Sequence, residues 1–134
     1  MPRAYNQSCP IARTLDIVGD RWTLLIVRDL FLGRTRFKQF LASSPGLPTK
    51  LLSDRLQKLE QQGVIERSVY SQHPLRAEYR LTEEGHSLAP VIQAIVDWGL
   101  EHCFQGEPEV RDAIASAVGG VMAAQGFPPS APTD

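Results

Sequence analysis

RFKQFLASSPGLPTKLLSDRLQKLEQQGVIERSVYSQHPLRAEYRLT, residues 36–82, decides the fold. RFKQFLAS predicts a short helix, and SPGLP breaks it with proline and glycine. TKLLSDRLQKLEQQG predicts a second helix, in which Leu52, Leu56 and Leu59 form one apolar stripe. VIERSVY and AEYRLT predict two short strands joined by SQHPLR. In the first, Val64, Glu66 and Ser68 alternate with Ile65, Arg67 and Val69, the pattern of a half-buried strand. Helix, turn, helix and hairpin in this order predict a helix-turn-helix backed by a β-wing. Such a unit lays its second helix in a DNA major groove.

Charge supports that reading. Between Arg34 and Arg80 there are nine Lys/Arg against four Asp/Glu, a local excess of +5. From Thr82 onward one Arg stands against eight acids, a balance of −7. The whole chain carries only −1, which hides the basic segment.

On the second helix of the quoted stretch, Lys50, Ser53, Asp54, Gln57 and Gln61 fall opposite the leucine stripe. The first turns of a recognition helix point at base edges, so Thr49, Lys50, Ser53 and Asp54 are candidates for direct readout. Arg55, at the flank of the stripe, is a candidate phosphate contact. Arg36, Gln57, Lys58 and the wing residue Arg76 complete the expected DNA-binding set. A polar helix face alone is an ordinary solvated surface; the hairpin and the basic excess turn the reading toward DNA. Arg76 reads equally as an exposed hairpin charge and as a minor-groove contact. His73 reads as an exposed tip residue.

Upstream, Pro10 to Val18 predicts a helix with Ile11, Leu15 and Val18 in one stripe and Pro10 at its first position. Gly19 ends it, and Asp20 caps the next. That helix carries Trp22, Leu25, Ile26 and Leu30, widened by Leu24, Val27 and Phe31, and should be the buried centre. Trp22 reads as core. Phe37, Phe40 and Leu41 face inward, again as core rather than as a flavin site. Downstream, Thr82 is expected to cap one long last helix, with Glu83 and Glu84 in its first turn and a kink at Pro90. Its band of Leu88, Val91, Ile92, Ile95, Val96 and Trp98 is wider than one core needs, which points to a partner.

A chain of 134 residues suits one domain. No run approaches the roughly 18 apolar residues of a membrane span. MPRAYNQSCP lacks the apolar core of a secretory signal, so a cytoplasmic protein without membrane contact is expected. Two cysteines and three scattered histidines give no metal-ligand spacing. No cofactor fingerprint, nucleophile elbow or P-loop is present, so an enzyme is not expected.

The motifs CPIARTLDIVGDRWTLLIVRDL, RFKQF, LPTKLLSDRLQKLEQQGVIER and RAEYRLTEEGHSL together resemble the HxlR-type winged helix-turn-helix regulators, within the MarR-like group. The resemblance runs from about Cys9 to about Trp98. It implies an α+β, mainly α fold: a winged helix-turn-helix domain with a two-stranded wing and a long C-terminal dimerisation helix. It also implies a homodimer built from the first and last helices, with Ile11, Leu15, Ile92, Ile95, Val96 and Gly99 at the interface.

Cys9 precedes the helix-opening Pro10, where the helix dipole and free N–H groups favour a thiolate. Some members of the resembling family use a cysteine at this place for redox or electrophile sensing, and others do not. Cys9 is therefore a candidate redox sensor, and Cys103 of a partner chain a candidate for its approach. The plain alternative is a reduced thiol that packs or caps.

The expected organisation is a DNA-binding and dimerisation domain over 9–104, an extra helix within 105–125 and a disordered tail over 126–134. The expected function is transcriptional regulation by a homodimer on a palindromic double-stranded operator, with a small-molecule or oxidant effector as a candidate input. The alternative is a winged-helix module for protein contact without DNA binding.

Overall fold

The computed structural model describes residues 8–103 and 108–125. The expected disordered tail lies outside them. Helix α1 spans Pro10–Val18 and α2 spans Thr23–Phe31. Pro10 occupies the start of α1, where its missing N–H costs no hydrogen bond. Gly19 closes α1 with its N–H on the Leu15 carbonyl at 2.8 Å. The Asp20 carboxylate then accepts from the N–H groups of Trp22 at 2.9 Å and Thr23 at 3.0 Å, and from the Thr23 hydroxyl. These bonds hold the first turn of α2. Ile26 and Val27 make α2 the buried centre, as the sequence predicts. Trp22 stands just ahead of α2, half-buried against the core, with the Arg21 guanidinium 4.9 Å above its ring.

Helix α3 (Phe37–Ser43) and α4 (Thr49–Gln61) form the helix-turn-helix. Gly46 sits in the connecting turn at φ 91°, a conformation that glycine adopts without a Cβ penalty. Phe40, Leu52, Leu56 and Leu59 are fully buried and join the same core as Ile26, Val27 and Leu30 of α2. Gly63, at φ 77°, ends α4 and leads into the wing.

Strands β1 (Ile65–Gln72) and β2 (Leu75–Leu81) pair antiparallel as one two-stranded sheet. The half-buried alternation expected for β1 is not observed. Ile65 is buried, but every residue from Glu66 to Tyr70 is exposed. The inner part of the hairpin reaches the core, with Ile65 and Leu81 buried and Tyr79 packed against it edge-on to Phe40; the outer part projects beyond it. The turn is also tighter than SQHPLR suggested, with only His73 and Pro74 between the strands, so that Arg76 lies within β2.

The single last helix is also corrected. Thr82 caps a short α5 (Glu83–His86), its hydroxyl accepting from the Gly85 N–H at 3.1 Å. The chain then turns at Ser87 and Leu88 before α6 (Ala89–His102). Pro90 sits in the first turn of α6 and bends nothing, because a residue without an N–H is tolerated there and not in a helix interior. Helix α7 (Pro108–Ala124) packs against α6 and α2 and places Val118 in the core. Part of the apolar width of the C-terminal segment is thus met within the chain. Among the described residues no helix is long and apolar enough to cross a membrane.

Candidate nucleic-acid interface

The leucine stripe that buries one side of α4 fixes what the other side shows. Thr49, Lys50, Ser53, Asp54 and Gln57 are exposed on consecutive turns, and Lys58 is half-buried. Pro48 precedes the helix with extended backbone, so α4 begins at Thr49 and its first N–H groups carry the positive end of the helix dipole. Among the described residues Lys50, Lys58, Arg67 and Arg76 form no ion pair within the chain. Their charges therefore remain available to an anionic partner.

The wing stands beside this surface. Arg76 is exposed near its tip, paired in register with Ser71. The hairpin is tied to α3 through backbone: the Tyr79 N–H donates to the Thr35 carbonyl at 2.8 Å, and Arg36 bridges to Glu78. Gln39 Oε1 accepts from the N–H groups of Thr35 at 2.9 Å and Arg36 at 3.0 Å, which seats the start of α3. Arg36 is exposed between helix and wing. The structure thus brings Arg36 and the wing together, while β1 packs on α4.

Arg55 is placed differently. Its Nε lies 3.3 Å from Asp20 Oδ1, so its charge joins α4 to the turn before α2. Burial acts to raise the Asp20 pKa; the Thr23 hydroxyl, the Trp22 and Thr23 N–H groups and the Arg55 charge outweigh it and hold it below the ordinary aspartate value.

Sequence reasoning passed over Asp29. It is fully buried on α2, with Oδ1 3.0 Å from both Arg28 and Arg34, and its other oxygen accepts from the Ser43 hydroxyl. This cluster clamps α3 onto α2. An aspartate inside a helix with an apolar pattern, flanked by arginines, was the available signal.

Of the expected dimer residues, Ile11 is 72% and Ile95 50% exposed, and Leu15 is also exposed. Val96 and Gly99 are half-buried. Ile92 is 5% exposed and packs in the core of its own chain, because it points inward from α6. Exposed Val91 and Trp98, outside the expected set, extend the bare apolar surface of α6. Cys9 is exposed at the N-cap of α1, and Cys103 is exposed at the C-cap of α6. A cleft of about 580 Å³ lies between α5 and α7, lined by Glu83, His86, Val121 and Gln125 among others.

Residues 17–107 match the HxlR-like helix-turn-helix family. The chain belongs to that family. An HxlR-like relative, the uncharacterised HTH-type transcriptional regulator YdeP of Bacillus subtilis, is 42% identical over 93 residues, covering 69% of this chain and 73% of YdeP. Mycobacterial relatives at 47% identity are matched over only 58% of their length, so the chain spans less than two thirds of them. Among solved structures, the redox regulator HypR in its oxidised form superposes with a TM-score of 0.66 at 33% identity, over 72% of this chain and 99% of HypR. The reduced form of the transcriptional regulator YodB from B. subtilis gives 0.60 at 34% identity, over 75% of this chain and all of YodB (100%). This HxlR-like chain is a transcriptional regulator of the winged-helix type, and its relatives are regulators rather than enzymes. All of α7 lies beyond the matched residues.

Proposed function

We propose that the chain acts as a homodimer that binds a palindromic operator in a sequence-specific way, with α4 in the major groove and the wing on the adjacent backbone. One observation carries this reading: the exposed face of α4 is polar throughout, and the hairpin that follows it carries exposed Arg67 and Arg76, with Arg36 exposed between α3 and the wing. Thr49, Lys50, Ser53 and Asp54 are the base-reading set; Arg36, Gln57, Lys58 and Arg76 serve the backbone. Arg55 joins them only if it leaves Asp20. Exposed Val69 and Leu75 on the wing are features a protein-contact module would share. The polar face of α4 favours DNA over that reading. The exposed apolar surfaces of α1 and α6 support the dimer.

Thiol oxidation at Cys9 is the proposed input, supported by the exposure of Cys9 at a helix N-terminus and by the likeness to HypR and YodB. A small ligand in the cleft between α5 and α7 is the second candidate input.

The test is selection of bound sequences from random duplex DNA by the purified protein. A palindrome with half-sites one helical turn apart, about 34–36 Å, is expected. Failure to enrich any sequence, with a protein partner captured instead through α4, would favour the protein-contact module.

A further inference from the structure

Strand β1 carries one residue more than its partner in the outer half of the wing. Val69 faces Ala77 and Ser71 faces Arg76, so Tyr70 has no opposite residue and forms a β-bulge. A bulge re-aims its side chain out of the regular alternation. Tyr70 is 45% exposed, and its ring meets Arg36: the guanidinium carbon lies 4.8 Å from the ring centroid. That is inside the cation–π range of about 6 Å. Arg36 is itself fixed by backbone, through its N–H to Gln39 and its bridge to Glu78. The ring thus holds a charge standing where α3 begins and the wing passes.

Arg36, like Arg21 on Trp22, is held by a ring rather than by a carboxylate, and of the two it is the one that stands beside the wing. Arg28 and Arg34 lie on Asp29, Arg55 on Asp20 and Arg80 on Glu78, so each of those charges is met by a carboxylate. A ring face attracts a guanidinium without neutralising it and without accepting an in-plane N–H. The planar fork stays available for an outside acceptor, and phosphate fits that fork in bidentate fashion.

We propose that Tyr70 is a positioning residue of the DNA interface: bulged out of β1, its ring holds Arg36 as a phosphate clamp between α3 and the wing. The proposal rests on the DNA-binding reading above. The clamp's ligand is the sugar-phosphate backbone, so its effect is independent of sequence.

The experiment measures binding of the full chain to a mixed-sequence duplex across a salt series, for the parent, Arg36→Ala, Tyr70→Leu, Tyr70→Phe and the Arg36→Ala/Tyr70→Leu pair. Arg36→Ala is expected to weaken binding and lower the salt slope by about one. Tyr70→Leu should weaken binding several-fold, while Tyr70→Phe, which keeps the ring face, binds like the parent. The double variant should bind no more weakly than Arg36→Ala alone. Thermal unfolding should be unchanged throughout; if Tyr70→Leu disturbs the wing, the β-branched Tyr70→Val replaces it. A parent that binds duplex while Tyr70→Leu loses nothing overturns the clamp alone, as do losses that multiply in the double variant. A parent that binds no duplex overturns the DNA-binding reading and the clamp with it.

Discussion

Asp20 and Arg55 join the turn before α2 to the middle of α4 through a contact of 3.3 Å between Oδ1 and Nε. The same carboxylate holds the first turn of α2, so one side chain sets both the start of the central helix and the seat of the DNA-facing one. Asp20→Ala is expected to destabilise the fold by about 1–2 kcal/mol, the range for a lost cap plus a partly solvated ion pair. Its pH dependence has a fixed sign. The folded-state pKa is depressed, so the contribution is fully present above the unfolded value of about 3.9 and disappears as pH falls through the lower folded value. Denaturant unfolding of parent and Asp20→Asn between about pH 6 and pH 3 checks this: the gap between them should be constant above about pH 5 and narrow as pH falls below the unfolded value.

Asp29 predicts a larger effect. Removing one partner of a buried ion pair costs about 3–5 kcal/mol. Arg28 and Arg34 keep contact with water, so Asp29→Ala is expected near the lower end, about 3 kcal/mol. Urea unfolding measures it. A loss below about 1 kcal/mol, the surface-pair range, would mean that the cluster does not hold α3 on α2.

The DNA surface separates by mechanism. If Lys50 reads a guanine, Lys50→Ala should cost about 1–3 kcal/mol of binding, confined to some operator sequences. Arg76→Ala should weaken binding to all sequences alike and lower the salt slope by about one. Titrations against a selected operator and its scrambled version, at several salt concentrations, distinguish the two patterns. Binding by the double variant that equals the parent at moderate salt would remove α4 and the wing from the interface.

Much of this was legible in the sequence, because short-range rules govern it. The stripe of Leu52, Leu56 and Leu59 exposed the opposite face of α4 by periodicity alone, and Gly19 marked the end of α1. What escaped depended on distant partners. Asp29 was passed over because its partners Arg34 and Ser43 come to it only in space. The bulge at Tyr70 is a matter of register between two strands, which neither strand encodes alone. The break before α6 was misread as a kink because Pro90 lies within a continuing apolar pattern. Gly85 does mark the close seat of α5 on the wing's base: a Cβ there would come 2.1 Å from the Val64 carbonyl oxygen.

Ile95 tests the dimer. It is half exposed on α6, with Val91 and Trp98 also bare, and Ile11 and Leu15 bare on α1. Ile95→Asp places a charge where an apolar interface is proposed, a change that costs several kcal/mol on burial. Sedimentation should show a folded monomer. An unchanged dimer would put the interface elsewhere.

Cys9 gives the last test. Its thiol is exposed at the N-cap of α1, whose backbone carbonyl already accepts from the Arg13 N–H at 3.1 Å. Attack of its thiolate on peroxide would form a sulfenic acid and release hydroxide, which takes up a proton as water. A second thiol, such as Cys103 of a partner chain, would then displace water and leave a disulfide. Oxidation by peroxide is therefore expected to weaken operator binding in the parent and to leave Cys9→Ser unaffected. Non-reducing electrophoresis should show a linked dimer that disappears in both Cys9→Ser and Cys103→Ser. Weakened binding without the linked dimer, still abolished by Cys9→Ser, would place the switch at the sulfenic acid. Operator binding that ignores oxidant in parent and variant alike would leave Cys9 as a cap on α1 and nothing more.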